Sequence, residues 1–165
     1  MPKIDLDSAP VRTGSIYPEP YNSQMAGRSS LRLGQAAGLT QFGANIVTLQ
    51  PGAVASLRHW HLREDEFAMV LTGDLILIED EGETAMRPGD CAAWKAGVPN
   101  GHRFVNRSDA PASFLVVGTK SDSEVATYSD VDMLVHIDGG NTRFTYHDGS
   151  EWAGPRNLAP KGDLK

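Results

Sequence analysis

The chain has 165 residues, 40% of them hydrophobic and 22% charged, which is the composition of one ordinary globular domain and excludes a coiled coil, a collagen-like repeat and wholesale disorder. Its 15 basic residues are outnumbered by 21 acidic ones, for a net charge of −6, and no basic stripe stands out, so nucleic acid is not the expected partner. The stretch Met1–Pro10 carries no apolar core of a signal peptide, no run of eighteen apolar residues exists, and a single cysteine, Cys91, precludes an intrachain disulfide; these features predict a cytoplasmic protein with no membrane partner.

The first forty residues are broken by Pro10, Gly14, Pro18, Pro20, Gly27 and Gly34 and read as an extended arm. From Gly43 onward the pattern becomes strand-like. Gly43–Gln50, Val54–His61, Glu66–Leu71, Asp74–Glu79, Glu83–Arg87, Cys91–Lys95, His102–Asn106 and Ala112–Gly118 are short segments rich in β-branched and aromatic residues, separated by turn formers such as Pro51-Gly52, Thr72-Gly73-Asp74 and Pro88-Gly89-Asp90. Eight such strands predict an all-β barrel or sandwich with antiparallel neighbours. Asp122–Tyr128, Asp130–Ile137 and Thr142–His147 then form an appended hairpin, and a polar tail runs to Lys165. The expected division is a single domain, with an arm over residues 1–42, a barrel over 43–120 and an extension over 121–165.

His59 and His61 are two apart on a predicted strand and therefore leave the same face of the sheet. Glu66 opens the next strand after the short turn Leu62–Asp65, so a hairpin would bring its carboxylate beside the two imidazoles. Two histidines and a carboxylate suit iron, manganese, nickel or zinc and leave positions open for water or substrate. His102, at the start of a later strand, is a fourth candidate ligand. Parity with these residues sends Leu57, Ala68, Val70, Phe104 and Asn106 into the interior, which predicts a small, dry pocket, and turns Phe67, Met69 and Leu71 outward, where either the arm or a second copy would cover them.

The ordering of these residues resembles a known family. Gly52–Gly73 reads G-x6-H-x-H-x4-E-x6-G, similar to the first motif of the cupin superfamily with one extra residue before His59. Gly89–Asn106 (GDCAAWKAGVPNGHRFVN) resembles the second, with Lys95 where a proline is usual and Asn100 where strict spacing would place the histidine; His102 keeps the spacing to Asn106. His102 and Asn100 thus remain rival fourth ligands. The resemblance extends over Ala9–Asn45, Asn106–Lys120 and the segments around Tyr128 and Phe144, and is to small bacterial single-domain cupins. It implies a double-stranded β-helix, one bound divalent transition metal ion, a small-molecule substrate or ligand and a homodimer. The superfamily spans dioxygenases, decarboxylases, isomerases and lyases beside sugar-binding and storage proteins. The expectation is a metal-dependent enzyme on a small oxygen-bearing molecule, with a non-catalytic metal- or ligand-sensing module as its rival.

Other residues carry weaker readings. Cys91, among small residues, reads as a packing residue and not a nucleophile. Arg28, Arg32 and Arg58 have the chemistry to bind a carboxylate, but each reads as a solvated surface charge. Glu64 is the carboxylate nearest the metal motif and reads as a turn residue. Asn45, Gln41 and Trp94 are lesser pocket candidates, with Trp94 expected in the core or an interface. His136 and His147, beside Asp138 and Asp148, are a remote candidate for a second metal.

Overall fold

The computed structural model describes residues 3–156, so the polar tail from residue 157 lies outside the described residues. The strands are β1 (Val11–Thr13), β2 (Arg28–Leu31), β3 (Phe42–Leu49), β4 (His59–His61), β5 (Glu66–Thr72), β6 (Leu75–Glu79), β7 (Gly82–Met86), β8 (Cys91–Trp94), β9 (Arg103–Val105), β10 (Ala112–Thr119), β11 (Ser123–Tyr128), β12 (Leu134–Asp138) and β13 (Asn141–Thr145). One helical turn, α1 (Leu33–Ala36), follows β2. The eight segments expected between residues 43 and 120 correspond to β3 through β10. The segment expected over Val54–His61 is the least regular, a strand only at His59–His61.

Six strands form one sheet in the order β1-β2-β3-β10-β5-β8. The opposing layer is built from β7-β6-β9 and from β4-β11-β12-β13. Antiparallel bridges from Val54 to Val105 and from His59 to His102 join those two smaller sheets along one seam. The result is the double-stranded β-helix. Its core is Val47, Leu49, Ala68, Val70, Leu75, Leu77, Met86, Phe104, Ala112 and Phe114, alternate residues of facing strands. Burying each of the larger ones contributes about 1.5–3 kcal/mol.

The arm does more than extend. β2 pairs with β3 and β1 with β2, while Tyr17, Tyr21 and Met25 pack with Leu57, Ala126, Tyr128, Met133 and Val135 in a second cluster. Gly73 shows why the β5–β6 turn has no side chain: its φ is +69°, and a Cβ there would meet that of Ala112 at 2.8 Å.

The expected hairpin between His61 and Glu66 is not formed. β4 and β5 lie in different sheets, and the chain crosses from one layer to the other between them. Glu124 holds that crossing, accepting hydrogen bonds from the amides of Leu62 (2.7 Å) and Arg63 (2.8 Å). The expected position of Cys91 also requires correction, because it is exposed. Cys91 pairs with Met69, and Trp94 with Glu66, so alternation turns Ala92 and Trp94 inward and Cys91 outward. Phe67 is 39% exposed on that same outer face, which the described part of the arm leaves uncovered.

Candidate metal centre

His59 and His61 enter the site from β4 because the period of a strand is two. Glu66 arrives from the facing sheet at the first position of β5. One ligand atom each from His59, His61 and Glu66 lie within 4.8 Å of one another. His102 joins them through its antiparallel bridge to His59, with its Nε2 3.6 Å from Glu66 Oε1. Gly101 permits this approach, since a Cβ there would sit 2.9 Å from that of Ser129, just past the end of β11.

Each ring is set by a different contact. The Nδ1–H of His59 donates to the Leu57 carbonyl at 2.9 Å, which leaves the Nε2 lone pair free. His61 lies between two carboxylates, its Nε2 3.4 Å from Glu66 and its Nδ1 3.6 Å from Glu124, both contacts being electrostatic rather than hydrogen bonds. His102, only 2% exposed, stacks on Trp94 with ring centroids 3.8 Å apart and planes 11° apart. Both its ring nitrogens are buried without a hydrogen-bond partner among the described residues. Buried imidazoles left so beside a carboxylate have the donor set a divalent ion would complete, so these residues fit a metal.

The charges follow from this placement. Burial, reinforced by His61 and His102, depresses the pKa of His59 to about 3. Burial opposes charging His61 too, but Glu124 and Glu66 outweigh it and raise the value to about 10. Burial alone would raise Glu66; His102 and His61 instead hold it well below the usual carboxylate range. A divalent cation bound here would take over the charge-balancing role of the His61 proton.

Two phenols border the ligands. Tyr128 is paired with His59 across β11 and β4, with ring centroids 5.9 Å apart, and Tyr17 of the arm meets Tyr128 edge-on at 5.4 Å. Burial raises both their pKa values, so both hydroxyls stay protonated at neutral pH. A cavity of about 610 Å³ lies behind Tyr128 and is lined by Arg58, Asp80, Asp132, His147 and Arg156 but by none of the four candidate ligands.

Asn100 is engaged elsewhere: its Nδ2 donates to Glu79 at 3.0 Å and its Oδ1 accepts from the Asp80 amide at 3.1 Å. Leu57, Ala68, Val70 and Phe104 are buried as parity requires. Asn106 is buried too, its amide tying the Leu49 and Ala110 carbonyls to the Ser108 turn. Glu64 pins Ser121, while Asn45 is half-buried and Gln41 exposed. Trp94 is a wall of the site and not merely core, because its strand pairs directly with β5. The reading of Arg58 as a solvated charge fails: it is half-buried and ion-paired with Asp80 and Asp130. Arg28 and Arg32 are half-buried as well. At the remote pair, His136 bonds Thr145, and His147 contacts the Met133 carbonyl and Asp132. Glu124, Tyr17 and Tyr128 were not legible as site residues, since no metal-motif spacing includes them.

The family model for the cupin domain matches residues 45–118. The crystal structure of a sugar phosphate isomerase of the cupin superfamily from Silicibacter pomeroyi DSS-3 is similar over 93% of this chain and 98% of its own, at 59% identity and a TM-score of 0.90. A structure from Acidithiobacillus ferrooxidans ATCC 23270 is similar over 77% and 81% of the two chains, at 23% identity and a TM-score of 0.70. The polyketide cyclase RemF from Streptomyces resistomycificus is similar over 72% and 79%, at 23% identity and a TM-score of 0.57, which is a likeness of fold alone. No curated protein matches the chain in sequence. The motifs, the two-layered fold and the extensive identity to the Silicibacter protein together establish that this chain belongs to the cupin superfamily.

Proposed function

We propose that this chain is a metal-dependent isomerase of a small phosphorylated sugar, with His59, His61, Glu66 and His102 as the ligands of one divalent transition ion. The observation that carries the reading is the convergence of the three histidines on one carboxylate, with both nitrogens of buried His102 unpartnered. His102 is preferred to Asn100 because the Asn100 amide is already bonded on both sides. The choice of isomerisation draws on the activity named for the Silicibacter relative, which is 59% identical over nearly the whole chain.

An aldose–ketose interconversion moves one proton between adjacent carbons and one between their oxygens, with no net oxidation. A bound divalent ion would supply positive charge to a substrate oxygen as negative charge develops there. Tyr17 and Tyr128, whose hydroxyls stay protonated, border the His59 side of the ligand set. Trp94 and the buried apolar residues around it exclude water, and Glu124 is a positioning residue that holds the β4–β5 crossing and orients His61.

The test incubates protein loaded separately with manganese, iron(II), nickel or zinc with aldose and ketose phosphates in deuterated water. Interconversion with deuterium incorporation in at least one combination, abolished in His59→Ala and His61→Ala, is the expected result. Saturable binding of phosphorylated sugars with no turnover under any ion would overturn the reading and leave a binding module. A second proposal concerns assembly: the outer face bearing Phe67, Met69, Leu115 and Val117 packs against a second copy, since alternation places these side chains together opposite the core.

A further inference from the structure

The N-terminal arm brings three arginines to the face of the six-stranded sheet that carries Glu66. Arg28 is paired with Leu49 and Ser30 with Val47, and Arg12 is paired with Ser30. Val47 is in turn paired with Phe114, Phe114 with Val70, and Gly118 with Glu66. Directly paired residues of antiparallel strands project to the same side, so Arg12, Arg28, Val47, Val70 and Glu66 share one face. Arg32, two residues beyond Ser30, continues that alternation.

These charges lack the partners that buried charges normally find. None of Arg12, Arg28 and Arg32 forms an ion pair among the described residues, whereas Arg58, Arg107 and Arg156 each do. The Nε atoms of Arg28 and Arg32 are buried with no hydrogen-bond acceptor, and Arg28 retains one bond from its terminal nitrogen to the Gly14 carbonyl. Burial lowers the pKa of Arg28; Tyr17 works against that, and the neighbouring charges of Arg12 and Arg32 add to it. Half-buried Arg28 and Arg32, with exposed Arg12 beside them and no carboxylate paired to any of the three among the described residues, repel one another, and a bound anion removes the repulsion.

The cluster also communicates with the metal centre. Tyr17 is within electrostatic reach of both Arg28 and Glu66, and its ring abuts Tyr128, which abuts His59. Tyr17 and Tyr128 thus stand between the ligand set and the arginines.

We propose that Arg12, Arg28 and Arg32 form an anion subsite that binds the phosphate group of the substrate, with the buried Nε–H groups of Arg28 and Arg32 as its principal donors. Guanidinium groups match phosphate oxygens with parallel N–H donors, which a lysine ammonium does not reproduce. The subsite rests on the isomerase reading for the identity of the ligand, but its binding function is measurable without catalysis.

The probe is inorganic phosphate, titrated into the full chain by calorimetry and by NMR of the arginine Nε–Hε resonances. Saturable binding is expected, tighter than that of acetate, and weakened about tenfold or more in Arg28→Gln and in Arg32→Gln, with Arg28→Lys rescuing only in part. Arg107→Gln, which removes an exposed arginine paired with Glu83, should bind as the wild type does. In the unmutated protein the Nε–Hε signals of Arg28 and Arg32 should shift with the same dissociation constant, a readout that survives even where a variant misfolds. A hexose phosphate should bind more tightly than the same hexose without its phosphate, again through these arginines. Arginine signals that stay unmoved by phosphate, or affinity unchanged in both glutamine variants, would overturn the proposal. Arginine-dependent binding without turnover would leave it standing while the isomerase reading falls; turnover indifferent to these arginines would do the reverse.

Discussion

Replacing His102 and Asn100 one at a time separates the metal site from the turn beside it. His102→Ala removes an imidazole that is almost wholly buried, stacked on Trp94 at 3.8 Å and 3.6 Å from the Glu66 carboxylate. Loss of that volume should cost about 2–4 kcal/mol of stability, in the range for large-to-small core changes. Even residues that only support a ligand change metal affinity by about 10–100-fold, so loss of a ligand should weaken binding by at least that much. Asn100→Ala removes two hydrogen bonds, to Glu79 and from the Asp80 amide, at about 1 kcal/mol each, and should leave metal affinity within about threefold of the wild type. Thermal unfolding and titration with manganese, nickel and zinc measure the two effects independently. The expected pattern is both variants destabilised but only His102→Ala impaired in binding, more steeply for nickel and zinc than for manganese because imidazole nitrogen favours the later metals. An affinity loss in Asn100→Ala equal to or larger than that in His102→Ala would refute the assignment and make the amide the ligand.

Glu124→Gln turns one of the two oxygens that accept from the Leu62 and Arg63 amides into an N–H₂ donor, leaving one of those amides facing a donor, so it should cost about 1–3 kcal/mol and weaken metal binding about tenfold through a misoriented His61; unchanged melting and affinity would show that Glu124 does not position the ligand. Burial alone would raise the pKa of Asp132, but the His147 amide and Arg156 lower it, so its stabilisation is present above the unfolded carboxyl value of about 4 and is lost as pH falls through the folded one. Asp132→Asn should therefore be less stable than the wild type by about 1 kcal/mol at pH 7, the two curves converging in acid, and a gap that persists at pH 2 would contradict this. Phe67→Glu puts a charge on the half-exposed outer face and should convert a dimer to a monomer in sedimentation without lowering metal affinity; a wild-type chain that sediments as a monomer would sink the assembly proposal.

Much of the fold and part of the centre were written in local pattern. A strand has period two and a turn has its own residue chemistry, so the eight barrel segments, the shared face of His59 and His61 and the burial of Ala68, Val70 and Phe104 could all be read from neighbours in sequence. Register and sheet membership are not local. A short turn between His61 and Glu66 is equally consistent with a hairpin and with a crossing between layers; Glu124, some sixty residues later, holds the crossing by accepting the two amides of that turn. Alternation separates Cys91 from Trp94 but does not say which faces inward, and pairing with Met69 and Glu66 decides it. The same holds for the arginines of the arm. As isolated charges Arg28 and Arg32 look solvated, and only the pairing of β2 with β3 turns them onto the face that bears Glu66. Residue types and their spacing determined which side chains were competent for metal chemistry; cross-strand pairing, whose partners lie tens of residues apart, decided which of them meet.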